Sequence, residues 1–123
     1  MRMWMIDPKL LCTKHLLGEH GEIHKHRHNF VKQHRITKRV SPVVQIEPMQ
    51  MEARHNELAA ELIRRKYNHN SPFEQPDISY LNDSERLAKV DINNSLMDLI
   101  NRCPECANRI KNYNNTLSCT FQH

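Results

Sequence analysis

Between Met49 and Tyr67, apolar Met51, Leu58, Leu62 and Ile63 alternate with Glu52, Glu57, Glu61, Arg64 and Arg65. That helical period, with its charges outward, predicts an amphipathic helix. Residues 68–77 are dense in Asn, Ser and Pro and predict the loop that ends it. Upstream, Asp7-Pro8 reads as an N-cap followed by proline at the first helical position, and Leu10, Leu11, Leu16 and Leu17 recur about two turns apart. A helix over Pro8 to Glu19 follows. Gly18 and Gly21 bracket His20 and loosen it, so Glu22 is expected at a bend or at the start of a second helical stretch toward Gln33. Arg35 to Pro48 contains Val40, Val43, Val44 and Ile46 with two prolines and reads as extended or looped. Ser95 with Asp98 three residues later resembles a capping box and opens a helix carrying Leu96, Leu99 and Ile100. The fold class is therefore mainly α, a compact single-domain helical protein.

A chain of 123 residues fits one domain and buries roughly two-thirds of its unfolded surface, which argues against a large catalytic cleft. Hydrophobic residues make up 38% of it, and no apolar run approaches the ~20 residues needed to cross a bilayer. The opening Met-Arg-Met-Trp-Met-Ile-Asp lacks the apolar core and cleavage site of a signal peptide. Four cysteines without an export signal point to a reducing compartment, where thiols more often bind metal than pair.

Charge sharpens the picture. Residues 1–39 hold nine Lys/Arg against three Asp/Glu, whereas residues 40–123 hold nine against eleven. The basicity belongs to the front, where six of the nine histidines also lie. Clustered Lys and Arg suit a polyanion, with phosphate-backbone binding that weakens steeply in salt. The competing reading is a solvated basic surface.

Cys103-Pro104-Glu105-Cys106 is followed after twelve residues by Cys119 and, three residues on, by His123. Thiolate and imidazole are good zinc ligands, and this C-x2-C-x12-C-x3-H spacing suits a closed tetrahedral site with Cys103, Cys106, Cys119 and His123 as ligands. Such a zinc is structural, because four protein ligands leave no open position. A lone C-x-x-C with two unrelated residues is the alternative.

The segment Lys14-His15-Leu16-Leu17-Gly18-Glu19-His20-Gly21-Glu22-Ile23, one short helix after Met1-Arg2, resembles the start of the phage pyrimidine-dimer DNA glycosylases of the endonuclease V type. With gaps the resemblance runs through Arg39-Val40, Ser41-Pro42 and Glu61-Leu62-Ile63-Arg64-Arg65-Lys66-Tyr67-Asn68, covering residues 1 to about 80. It implies a DNA glycosylase with abasic-site lyase activity, a DNA-repair enzyme nicking at damaged or modified pyrimidines, most naturally pyrimidine dimers. The N-terminal amine attacks the sugar and a glutamate assists. Family members expose a threonine after losing the initiator methionine. Arg2 is too large for that removal, so Met1 is expected to stand in the threonine's place. In this register Arg2 matches the family's early arginine, His15 its helix histidine and Glu22 its catalytic glutamate, while Gly21 stands where the family has an arginine and Lys25 lies near a second one. The family's aromatic-rich C-terminal segment is not recognisable.

The chemistry is consistent with the residues. An α-amino group with a pKa of about 7.7–8.0 is partly neutral at physiological pH, and a carboxylate can steady a cationic sugar and then move protons. The candidate catalytic residues are thus Met1 and Glu22, and the candidate DNA contacts are Arg2, His15, Lys25, Arg27, Lys32, Arg35, Lys38 and Arg39. Trp4, Phe30 and Tyr80 are read as core first and as wedges into an opened duplex second, with Trp4 the exception. Residues 1–100 are expected to form the glycosylase-like domain, and residues 101–123 a zinc-binding segment packed on it. Catalysis is expected to need no cofactor. The partner is duplex DNA carrying a lesion or modified base, with no membrane, and the chain is expected to be a phage-encoded monomer in the cytoplasm of the infected host. Two other classes compete. One is a non-catalytic, zinc-stapled DNA-binding or host-nuclease-modulating protein, which needs the basic front but not Glu22. The other is a metal-dependent nuclease using His20, His24, His26, His28 and Glu22.

Overall fold

Asp7 caps a 3-10 turn over Pro8–Leu10, its Oδ1 accepting the Lys9 N–H at 3.0 Å, so the cap-plus-proline signature acts where it was expected. The turn does not run on into a helix. Leu11 and Cys12 are extended, and α1 begins afresh at Thr13 and continues to Val31. The computed structural model describes residues 2–68 and 72–121, and of residues 114–121 the backbone alone. After α1 come a short α2 (Thr37–Val40), a 3-10 turn (Pro48–Gln50), α3 (Met51–Arg64), a short α4 (Asp83–Arg86), α5 (Ile92–Arg102) and α6 (Pro104–Phe121). Among the described residues there is no strand. Nor, among those residues, is any helix long and apolar enough to cross a membrane.

The expected bend at Gly18–Gly21 is absent, since α1 passes straight through both glycines. The reason is tertiary. Leu16, Glu19, Ile23, His26 and Phe30 recur at alternating spacings of three and four residues and are all buried. This single stripe packs on α3, and each fully buried Leu, Ile or Phe contributes about 1.5–3 kcal/mol, more than the roughly 1 kcal/mol by which a helical glycine falls short of alanine. On α3 the facing stripe is Met51, Arg54, His55, Leu58, Glu61 and Leu62.

Polar residues on these stripes pair off. Arg54 is fully buried and grips Glu19 with two bonds, Nε to Oε2 at 2.6 Å and Nη2 to Oε1 at 2.9 Å, while its Nη1 donates to the Ile6 carbonyl at 2.7 Å. One guanidinium thereby locks α1, α3 and the N-terminal segment, and fixes the rotation of α1 about its axis. Arg65 does similar work about three turns later, bonding Glu61 at 2.8 Å and the Leu11 carbonyl at 2.7 Å.

Helices α1 and α3 end on residues that are not glycine. Gln33 (φ 56°) and Lys66 (φ 70°) adopt the left-handed conformation just beyond α1 and α3. The following amides reach back, His34 to the Asn29 carbonyl and Tyr67 to that of Leu62, each at 2.9 Å. The expected capping box at Ser95 is displaced. Ser95 is buried inside α5, whose cap is Asp91, with its Oδ1 accepting the Asn94 N–H at 3.1 Å. A reciprocal capping box stands instead at Asn82 and Glu85.

Buried His26 has a pKa lowered from 6.5 to about 4, first by burial and then by nearby positive charges that include Arg39 and Lys25. Between these values the unfolded chain binds a proton that the folded chain refuses. Stability should therefore fall as pH drops from about 6.5 toward about 4. Urea melts at pH 7 and pH 5 should show a smaller loss for His26→Gln than for the unsubstituted protein; equal losses would mean that other groups carry the acid sensitivity.

Candidate functional site

Glu22 lies half-buried on α1, one turn beyond Glu19. The Glu19–Arg54 pair therefore holds in place the helix turn from which Glu22 projects. Lys25, one further turn along, is exposed. Met1 lies outside the described residues.

The basic residues fall into two groups. Lys32, Arg35, Lys38 and Arg39 are all exposed beyond the C-terminal half of α1, and Arg35, Ile36, Thr37, Lys38 and Arg39 line one groove. Tyr80 is half-buried and donates to the His34 carbonyl at 2.9 Å, which pins this region to the loop before α4. The charge of Arg39 helps to lower the His26 pKa, which places this end of the groove near the C-terminal half of α1. Arg27 is committed to the loop after α3, its Nε donating to the Glu74 carbonyl at 2.7 Å.

Arg2 and His15 stand apart from that group. The Arg2 guanidinium pairs with Asp98 on α5, comes within 3.5 Å of Ser95 Oγ and lies 4.7 Å over the Trp4 ring. Trp4 and Phe30 are buried in the core. For Phe30 that is the first expectation; for Trp4, expected as the exposed exception, it is a correction. Its indole is covered by His15 edge-on at 5.9 Å and by the Arg2 and Arg102 guanidiniums.

His15, expected at DNA, has Nδ1 3.2 Å from Cys12 Sγ and 3.6 Å from Cys106 Sγ. Cys12 Sγ is in turn 3.8 Å from Cys103 Sγ, and the four ligand atoms all lie within 4.8 Å of one another. These residues are close enough to hold a metal ion. Two of the expected ligands, Cys103 and Cys106, are thus brought together with Cys12 and His15, whereas the side chains of Cys119 and His123 lie outside the described residues. The signal for Cys12 and His15 was a second three-residue spacing, C-x2-H, at the opposite end of the chain. Burial pushes the Cys106 thiol up to about 12. Burial acts the same way on Cys103, but hydrogen bonds involving Cys106 and Cys12 outweigh it and leave that thiol below its ordinary value. Burial and the Lys14 charge lower the His15 pKa, favouring the neutral imidazole.

A second group joins His20 and His24, one turn apart on α1, to buried His55 on α3. The Nε2 atoms of His24 and His55 are 3.1 Å apart, and Phe73 stacks on His55 with centroids at 4.9 Å. His26 points elsewhere, its Nδ1 lying 3.3 Å from the Asn29 amide.

A family model described as pyrimidine dimer DNA glycosylase matches residues 1–75. No curated protein and no solved structure matches the chain.

Proposed function

This chain belongs to the pyrimidine dimer DNA glycosylase family, and from that membership we propose that it excises pyrimidine dimers from duplex DNA and nicks the strand at the resulting site. The observation that carries the reading is the match itself, which spans both Met1 and Glu22. The half-buried setting of Glu22 and the exposed cations beside α1 support it.

In the proposed reaction, the neutral Met1 amine attacks C1′ of the damaged nucleotide. The C1′–N bond to the base breaks and its electron pair leaves with the base; the attached amine loses a proton, and cleavage of the C1′–O4′ bond, with O4′ taking a proton, opens the sugar and gives an imine. Removal of a C2′ proton then drives electrons into a C2′–C3′ double bond and expels the 3′ phosphate. Water finally hydrolyses the imine and frees the amine. Glu22 steadies the positive charge that develops on the sugar and carries protons in the later steps. Lys25, Lys32, Arg35, Lys38 and Arg39 hold the phosphate backbone, which positions the duplex without reading its sequence. Any bound metal is structural zinc in this scheme, since no step requires a Lewis acid.

The test is borohydride trapping of native-terminus protein on duplexes containing a thymine dimer or an abasic site. A covalent adduct mapped by mass spectrometry to the Met1 amine is expected. DNA binding without an adduct, with the amine verified as unmodified, would leave a non-catalytic DNA-binding protein as the better reading.

A further inference from the structure

We propose that Cys12, His15, Cys103 and Cys106 form a tetrahedral zinc site that fastens the joint between α5 and α6 onto the start of α1. The inference is independent of the glycosylase reading, because none of the four residues takes part in the imine chemistry.

Three of the donor pairs stand close to metal-ligand spacing. Zinc–sulfur bonds of ~2.3 Å and zinc–nitrogen bonds of ~2.0–2.1 Å at tetrahedral angles place two sulfurs ~3.8 Å apart and a sulfur and a nitrogen ~3.5 Å apart. The observed separations are 3.8 Å for Cys12–Cys103, 3.2 Å for Cys12–His15 and 3.6 Å for Cys106–His15. The remaining pairs lie within 4.8 Å, so seating the ion draws the donors together by no more than about 1 Å. Three thiolates with one imidazole suit zinc far better than a hard cation such as magnesium.

The backbone is arranged in the same sense. Cys12 is the N-cap of α1 with His15 in its first turn, and Cys103 is the C-cap of α5 with Cys106 in the first turn of α6. Each pair spans three residues at a helix start, so the two halves face each other as similar hooks. The Cys12 N–H donates to Cys106 Sγ at 3.2 Å and the Cys106 N–H to Cys103 Sγ at 3.4 Å. Such bonds stabilise thiolate charge and orient the ligands. His15 presents Nδ1 to the sulfurs, which leaves Nε2 to carry the proton of the neutral ring. Cys12 and Cys106 are buried, and three thiolates in so dry a space repel one another unless a cation joins them. Binding therefore releases the thiol protons to solvent. Four protein ligands close the coordination sphere.

Metal analysis of the full chain, purified under reductant and supplied with zinc, should give one zinc per chain. In chelator competition, Cys12→Ser and His15→Ala should each weaken zinc binding by more than the roughly 10–100-fold that loss of an outer-shell partner costs, while Cys119→Ser should leave it unchanged. Zinc retained in Cys12→Ser but lost in Cys119→Ser would overturn the ligand set in favour of the tail residues. Absence of zinc, or a Cys12–Cys103 disulfide persisting under reductant, would overturn the site. Because a variant can fail to fold, cobalt(II) reconstitution of the unsubstituted protein supplies a second readout: strong tetrahedral bands with thiolate charge transfer for three sulfurs are expected, and an octahedral or thiolate-poor spectrum overturns the proposal.

Discussion

Glu22→Gln should lower single-turnover cleavage of the glycosidic bond by about 10²–10⁴-fold, the range that a positioned proton-transfer group contributes, while the affinity for lesion-containing duplex stays the same or rises slightly. The amide keeps the shape of the side chain. It loses the negative charge that steadies the cationic sugar and the capacity to take a proton. Binding need not suffer, because a carboxylate close to phosphates is electrostatically unfavourable and its neutralisation removes that repulsion. The loss should appear in the chemical step at saturating enzyme, marking an interaction made in the transition state rather than in the ground state. Full single-turnover activity in this variant, measured beside a gel-shift affinity, would remove Glu22 from the proposed role.

Arg54→Ala should destabilise the protein by about 3–5 kcal/mol, the cost of leaving one member of a buried ion pair without its partner. Glu19 would remain buried with its charge uncompensated, and the Ile6 carbonyl would lose its donor as well. In thermal unfolding this corresponds to a fall on the order of 10 °C or more. Removing both charges in Glu19→Leu/Arg54→Met should recover much of the loss, because similar apolar volume then replaces the pair. A double variant no more stable than the single one would show that the Ile6 contact, and not the charge pair, dominates. Since the pair also sets the rotation of α1, the double variant should fold with a less constrained Glu22.

The legible parts of the fold were those in which apolar residues mark the buried face. α3 was visible because its leucines and methionine recur with the helical period while most of its charges face water. α1 was misread because two of its five buried positions, Glu19 and His26, are polar. They interrupt the apolar stripe and leave the glycines as the louder signal. Their partners lie far along the chain, Arg54 being 35 residues from Glu19, and no local pattern announces such a pairing. Ser95 was taken for a cap because its spacing to Asp98 is right, yet Asp91 and Asn82 make the caps and Asp98 pairs with Arg2. The thiol cluster was half legible. Cys103 and Cys106 carry a familiar spacing, whereas Cys12 and His15 are joined to them only by the fold.

Gly18 and Gly21 are both exposed inside α1, and a Cβ added at either would meet nothing within 4 Å. Nothing in the isolated protein calls for glycine there, and the helix forgoes about 1 kcal/mol at each position relative to alanine. Together they leave a bare lane along the helix that runs up to Glu22 and Lys25. If the proposed substrate lies along this face, the lane is clearance: a sugar–phosphate chain can come within van der Waals reach of the α1 backbone beside the carboxylate that acts on it. The sequence that would make this helix most stable on its own is then a different one from the sequence that lets a duplex settle against it.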